Sequence, residues 1–313
     1  MRSGAKLRPD ILGRLGRMTR VRWQAGVLLA AVLLTSGCFR HTYRVQKAPA
    51  VANVKSATLD ELIKQIQGRF DAIKTMNASV DIVASTGGSK QGKVTVYTTF
   101  SGYILLRKPE DLRVLLLLPL VHTRAVDMVT DGSTFKMLIP PQNRAITGTN
   151  EVATTPSKNP LENLRPSVFY DSLLIKGVQP GELVAITSDE RVIQVDAKKK
   201  EMVSEPDYDV SLYAQKNGGV ELATHRVIHI GRSTLLPYAQ DIYDSEGRVA
   251  TRATYESYQK FGDIDFPTRI TIERPLDELK IAMTITKLSP NQEMENDQFE
   301  LTIPQGTQVR QLP

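Results

Sequence analysis

The sequence predicts a mainly β domain accompanied by helices, and three observations carry that expectation. From Asn77 onward, apolar and polar residues alternate in short runs, the period of a strand with one buried face. The turn signals Asp131-Gly132, Asn217-Gly218-Gly219 and Glu246-Gly247 punctuate those runs at hairpin intervals. Past the N-terminal segment, helical spacing of apolar residues appears in two stretches, 59–73 and 161–175. No period of 20 to 50 residues repeats, so one large β domain of about 250 residues is expected.

The chain begins with a different kind of element. Arg2, Lys6, Arg8, Arg14, Arg17, Arg20 and Arg22 stand against a single Asp10, and an uncharged run, AGVLLAAVLL, follows over residues 25–34. A basic stretch leading into a short apolar one reads as an export signal. Its apolar core of about ten residues is roughly half the length a membrane-crossing helix needs. It ends in Thr35-Ser36-Gly37-Cys38, and Cys38 is the only cysteine in the chain. No intramolecular disulfide, thiolate metal cage or CxxC chemistry is therefore available. A lone cysteine at this position fits lipid attachment: cleavage before Cys38 leaves it as an acylated N-terminus, and two or more chains anchor a protein stably where one does not. Thr35 stands where Leu is preferred in such a cleavage site. Phe39, rather than an inner-membrane-retaining Asp, points to the outer membrane, with the domain facing the periplasm.

Removing residues 1–37 also removes the charge excess. Seven of the 40 basic side chains and one of the 34 acidic ones fall in that segment, leaving 33 of each. A basic pI that belongs to a discarded signal is no argument for a nucleic-acid partner.

The elements of the mature chain read in order as follows. Residues 38–57 hold the lipidated N-terminus and an aperiodic tether. Thr58 and Glu61 form a T-x-x-E capping box, opening a helix with apolar Leu59, Leu62, Ile63, Ile66, Phe70 and Ile73. Residues 93–107 read as one long strand whose even positions, Val94, Val96, Phe100, Ile104 and Leu106 among them, form an apolar face, with Gly102 available as a bend. Residues 112–118 (LRVLLLL) are apolar on both faces and are expected to be covered on both sides. Strands follow at 125–130, 134–139 and 144–147, a loop at 148–159, and a helix over 161–175 broken near Pro166. Eight further strands are expected at 183–187, 192–196, 208–214, 223–230, 239–243, 248–258, 268–273 and 280–287, with a tail over 308–313.

The order of these elements, with the motifs they carry, resembles the LolA/LolB-like family of lipoprotein carriers and receptors. One stretch is Gly102-Tyr103-Ile104-Leu105-Leu106-Arg107-Lys108-Pro109, Leu112-Arg113-Val114, Pro119 and Val129-Thr130-Asp131-Gly132. The other is Asp265-Phe266-Pro267-Thr268-Arg269-Ile270, a strand over 281–285, and the ending Phe299-Glu300-Leu301-Thr302-Ile303-Pro304-Gln305-Gly306. The resemblance, taken with the helix that precedes them, covers most of residues 58–307. The resemblance implies an incomplete antiparallel β-barrel of about eleven strands, closed by helices, with an apolar hollow able to take acyl chains. The soluble carriers of the family have Arg directly before the proline, tied to lid opening; here Lys108 stands there and lacks the fixed guanidinium fork. The anchored receptor carries a protruding loop with an exposed Leu. Leu118-Pro119-Leu120-Val121 is the candidate for it, a buried strand end being the alternative.

Catalytic and metal chemistry find no support. HExxH, GxSxG, P-loop and GxGxxG patterns are absent. His225 and His229 on one strand would sit about 13 Å apart, too far to share a metal. Asp207, Asp209, Asp241 and Asp244 read as solvated strand-end carboxylates. The expectation is a non-enzymatic binding module without cofactor, metal or nucleic-acid partner: an outer-membrane lipoprotein anchored through Cys38 that takes acyl chains of lipoproteins or lipids. Val94, Val96, Phe100, Ile104 and Leu106 are the expected lining; Lys108, Leu164 and Phe169 belong to a lid, and Leu118 and Leu120 to a membrane-facing loop. The alternative is a structural or partner-binding envelope-assembly lipoprotein whose barrel is packed solid.

Overall fold

The computed structural model describes residues 43, 47, 49–51, 53–150, 164–196, 201–215 and 219–312. The signal segment, Cys38 and half of the 38–57 tether lie outside the described residues. Helix α1 (Leu59–Asp71) precedes seven strands: β1 (Thr75–Gly88), β2 (Lys93–Val96), β3 (Phe100–Arg107), β4 (Asp111–Leu117), β5 (Arg124–Thr130), β6 (Thr134–Ile139) and β7 (Arg144–Thr149). Helix α2 (Pro166–Leu173) leads into β8 (Leu183–Asp196), β9 (Glu201–Gln215), β10 (Leu222–Gly231), β11 (Leu236–Tyr243), β12 (Val249–Phe261), β13 (Ile264–Arg274), β14 (Leu279–Pro290) and β15 (Gln308–Gln311).

The strands form one sheet in the order β15-β7-β6-β5-β4-β3-β1-β14-β13-β12-β11-β10-β9-β8, with β2 paired only to β1. All pairs are antiparallel except β15 on β7. Among the described residues β8 and β15, the two ends, do not pair with each other, so the sheet remains open. This is the mainly β class with helices that the sequence predicts and the incomplete, open arrangement that the resemblance implies, with fifteen strands among the described residues where about eleven were expected. The expected tail carries β15 and extends one edge.

Helices occupy the concave face because an open sheet of this size leaves an apolar surface that no strand pairing covers. The capping box forms as expected: the Glu61 amide donates to Thr58 Oγ1, and Glu61 Oε2 accepts from the Thr58 amide at 2.7 Å. Leu62 and Ile66 of α1 then pack on Tyr208, Val210, Leu212, Ile228 and Ile230 of β9 and β10. Helix α2 starts at Pro166, where a missing N–H costs nothing, rather than breaking there. Its Val168, Phe169, Tyr170 and Leu173 enter a second and larger core with β1, β3–β7 and β12–β14. The described residues thus form two main apolar cores: α1 builds the smaller through Leu62 and Ile66 and touches the larger through Phe70, and α2 lies in the larger.

The expected long strand over 93–107 is interrupted at residues 97–99. β3 runs beside β1 from Phe100 to Arg107, whereas β2 pairs only with residues 85–88 at the far end of β1. Gly102 lies where β3 and β4 approach closely: a Cβ there would come within 2.1 Å of the Leu115 carbonyl oxygen. In β4, Leu112 and Val114 are buried, but Leu115 to Leu118 are only half-buried, so the run is not covered on both sides along its whole length. Part of its outer side meets the short 3-10 turn Asn296–Phe299, and Leu301 joins Val129, Leu138 and Ala145 in a small outer cluster. At the other end of the sheet Pro49, Val51 and Lys55 of the expected tether are hydrogen-bonded to the sheet. Val51 donates to Ser204 O at 3.0 Å, Ser204 to Pro49 O at 2.8 Å, and Lys55 to Arg232 O at 2.8 Å.

Candidate functional site

The C-terminal half of α1 and the end of α2 converge above β12 and β13. At its C-terminal end, α1 is held by the β3–β4 turn: the Lys108 ammonium donates to the Phe70 carbonyl and lies 3.4 Å from the centroid of its ring. Burial pulls the Lys108 pKa below the ordinary lysine value, against the opposing field of Asp71. The next residue holds the other helix, because Tyr170 Oη donates to the Pro109 carbonyl. One two-residue turn therefore grips both helices.

Between the helices lies a half-open hollow of about 320 Å³. Its apolar lining comes from Ile66, Ile73, Leu173, Leu174, Tyr255 and Phe266. Its polar rim is fixed by Arg69, whose Nη2 donates to the Asp265 carbonyl at 2.6 Å while the guanidinium lies 5.4 Å from the Tyr258 ring centroid. Tyr258 Oη in turn donates to Pro237 O at 2.7 Å, and burial raises its pKa above the ordinary tyrosine value. The volume falls at the lower end of small-molecule sites, which span roughly 300–1,000 Å³. Chemically, the arrangement offers an oily cleft with a hydrogen-bonded rim.

The residues expected to line a hollow are elsewhere. Val94 and Val96 are 61% and 67% exposed, because β2 projects beyond the body of the sheet with β1 as its only neighbour. Ile104 and Leu106 are fully buried in the larger core with α2, and Phe100 is half-buried at the start of β3. None of the five borders the hollow. Leu164 and Phe169 are buried in the same larger core, and α2 meets the hollow only through Leu173, with Leu174 and Ile175 following. The sequence signal for the residues that do border this hollow was the Asp265-Phe266-Pro267 motif and the C-terminal half of the α1 stripe.

The β4–β5 turn carries the candidate loop. Leu118 donates to Thr123 O at 2.8 Å and His122 to Leu118 O at 3.0 Å, closing a tight turn. Leu120 and His122 take positive φ, 70° and 51°, a region non-glycine residues seldom occupy. Leu118 is half-buried, while Leu120 and Val121 are 95% and 65% exposed.

On the β8–β12 half two of the expected solvated carboxylates, Asp207 and Asp241, are buried, and Asp209 and Asp244 are half-buried. Asp207 accepts from Tyr238 Oη at 2.5 Å, and Asp241 is held by Arg252 through two hydrogen bonds of 2.7 and 2.6 Å. His229 Nδ1 is 2.6 Å from Asp209, and its Nε2 is 3.7 Å from Asp241. His225 pairs instead with Glu182 at 2.8 Å. Among the described residues no group of three or more His, Cys, Asp or Glu side chains is placed to hold a metal ion. No described helix is long and apolar enough to cross a membrane.

No family model and no curated protein matches the sequence. Solved structures do resemble it. A LolA superfamily protein of Nitrosomonas europaea is 14% identical, with TM-score 0.46, covering 76% of this chain and 97% of its own. A DUF1329 family protein of Desulfovibrio piger is 16% identical, with TM-score 0.47, covering 76% and 94%. A domain of Vibrio parahaemolyticus described as an outer membrane lipoprotein-sorting protein is 10% identical, with TM-score 0.47, again covering 76% and 94%.

Proposed function

We propose that the protein is an outer-membrane lipoprotein, anchored through Cys38 and facing the periplasm, that binds acyl chains of lipoproteins or lipids for lipoprotein localisation or lipid transport. The observation that carries this reading is the half-open apolar hollow between α1, α2 and the β12–β13 hairpin. Each methylene withdrawn from water there contributes about 0.8 kcal/mol, so even a partly inserted chain is held usefully. The polar rim of Arg69, Asp265 and Tyr258 leaves the mouth wet and the floor dry, which suits an amphipathic guest. A bulky apolar loop tip at Leu120 supports contact with a membrane or an acylated partner.

The experiment is uptake of a fluorescent fatty acid by purified protein, paired with mass spectrometry of the co-purifying lipid. Wild type is expected to bind the probe, and Ile73→Trp, which fills the hollow, is expected to abolish uptake without unfolding the domain. Absence of both co-purified lipid and probe uptake in wild type overturns the reading. Lipid attachment is tested separately: Cys38→Ser is expected to release the protein from the membrane fraction and remove the acyl mass.

The second reading, an envelope-assembly lipoprotein that docks a protein partner, draws on the solid packing of α2 against β3–β7. Retained cellular function in Ile73→Trp together with a partner captured at the Leu120 turn would favour it.

A further inference from the structure

The concave face of β10 and β11 is apolar except at two places. Ile228 stands opposite Gln240, and Arg226 opposite Ile242, so Arg226 and Gln240 share the face that Ile228 buries against α1. They line a second chamber of about 100 Å³, which has Leu174 in common with the hollow. The two cavities are also joined through a hydrogen bond: Gln240 Nε2 donates to Oη of Tyr255, a lining residue of the hollow, at 3.1 Å.

Both polar side chains are more than nine-tenths buried, Arg226 at 6% exposure and Gln240 at 1%. Each has one atom left over. Arg226 Nη2 donates to Gly177 O at 3.0 Å, but its Nε has no hydrogen-bond partner. Gln240 Nε2 also donates to Asp171 O at 2.6 Å, which fixes the orientation of the amide, and leaves Oε1 without a partner. The chamber's acids are already engaged: Glu182 with His225 at 2.8 Å, and Asp171 with Lys176 at 3.1 Å. Arg226 Nη2 lies 4.0 Å from Glu182. What remains is one donor and one acceptor at the buried wall of a chamber beside an oily hollow. Buried polar groups of this kind are normally satisfied.

We propose that the chamber takes the amide at the head of an N-acylated ligand, with its carbonyl accepting from Arg226 Nε, its N–H donating to Gln240 Oε1, and its chain passing Leu174 into the hollow. The assignment rests on the acyl-binding reading above. A carboxylate head satisfies Arg226 but sets another acceptor against Gln240 Oε1 and a third anion near Asp171 and Glu182. An ester has no N–H for Gln240.

The test is displacement of a bound fluorescent fatty acid from the intact protein by N-methyldodecanamide, methyl dodecanoate and dodecanoate, which share a chain length. The amide is expected to displace the probe at a concentration at least fivefold lower than either competitor. Arg226→Met and Gln240→Met are each expected to bring the amide-to-ester ratio close to one. Equal displacement by amide and ester in wild type overturns the assignment, as does a preference that persists in both variants. The wild-type ratio decides the matter if a variant fails to fold. No binding of the probe at all overturns the acyl-binding reading, and this assignment with it. An N-acyl-cysteinyl peptide compared with an N-acyl glycine then tells a peptide-borne amide from a lipid one.

Discussion

Lys108 closes the C-terminal end of α1: its ammonium donates to the Phe70 carbonyl while lying over the Phe70 ring. The last carbonyls of a helix have no partner within it and sit at the negative end of its dipole. A cation supplied from the β3–β4 turn satisfies both conditions, and it ties α1 to the strand pair that also anchors α2 through Tyr170. Lys108→Met keeps the length and loses the charge. It is expected to cost about 1–2 kcal/mol, read as a lower urea midpoint, whereas Lys108→Arg retains most of the stability. An unchanged midpoint in Lys108→Met would show that the cap contributes nothing.

Gly102 is required by the closeness of β4 rather than by an unusual backbone angle. A methyl group there meets the Leu115 carbonyl oxygen at 2.1 Å, and that atom belongs to a hydrogen-bonded strand that cannot swing aside. Gly102→Ala is expected to destabilise the domain by about 3 kcal/mol, lowering the thermal midpoint by roughly 6–12 °C. Differential scanning calorimetry checks it.

His229 predicts a pH dependence. Burial opposes its charge, but hydrogen bonds and charges from Asp241 and Asp209 outweigh that effect and raise its pKa above 6.5. Tyr238 stacks on it from β11, with ring centroids 5.7 Å apart, and Arg252 closes the far side of Asp241. A raised pKa in the folded state gives stability that is fully present below the unfolded value near 6.5 and lost as pH rises through the folded value. Urea midpoints measured from pH 6 to 9 are expected to fall in wild type and to lie flat in His229→Asn.

Asp241 governs the acid limb of the same cluster. Burial works against its charge, yet Arg252 and His229 hold its pKa down to about 2. That stability is present above the ordinary value of 3.8 and lost as pH falls towards 2. Asp241→Asn is expected to remove this acid-side loss, seen in the same titration extended to pH 2.

Leu120 makes almost no contacts, so Leu120→Asp is expected to leave thermal stability within about 0.5 kcal/mol of wild type. Under the proposed function it abolishes association of anchor-free protein with lipid vesicles, measured by flotation. Vesicle binding that survives the substitution would remove the loop from that role.

Local chemistry was legible in the sequence. The Thr58–Glu61 box places the start of α1, and β6 runs over residues 134–139 as alternation and the Asp131-Gly132 turn predict. Long-range register was not. Nothing local tells that the run over 93–107 is interrupted at residues 97–99, nor that residues 183–196 form one strand where two were expected. The lining of the hollow was missed for the same reason: it is assembled from a helix end, a helix exit and the start of β13 (Asp263 to Pro267), which are distant in sequence. Arg226 and Gln240 did leave a signal, as single polar residues at positions that the apolar face of β10 and β11 should occupy.

The two helices are rooted in different cores, α1 with β9–β10 through Leu62 and Ile66 and α2 with β3–β7 and β12–β14, with Phe70 of α1 reaching across to the second. The hollow falls at the boundary where these packed bodies meet, with Ile175 touching both. Because β8 and β15 share no strand pairing among the described residues, no hydrogen-bonded ladder closes the far side of that seam; under the proposed function, a longer acyl chain is expected to be accommodated by a change of sheet curvature, with both interiors left packed.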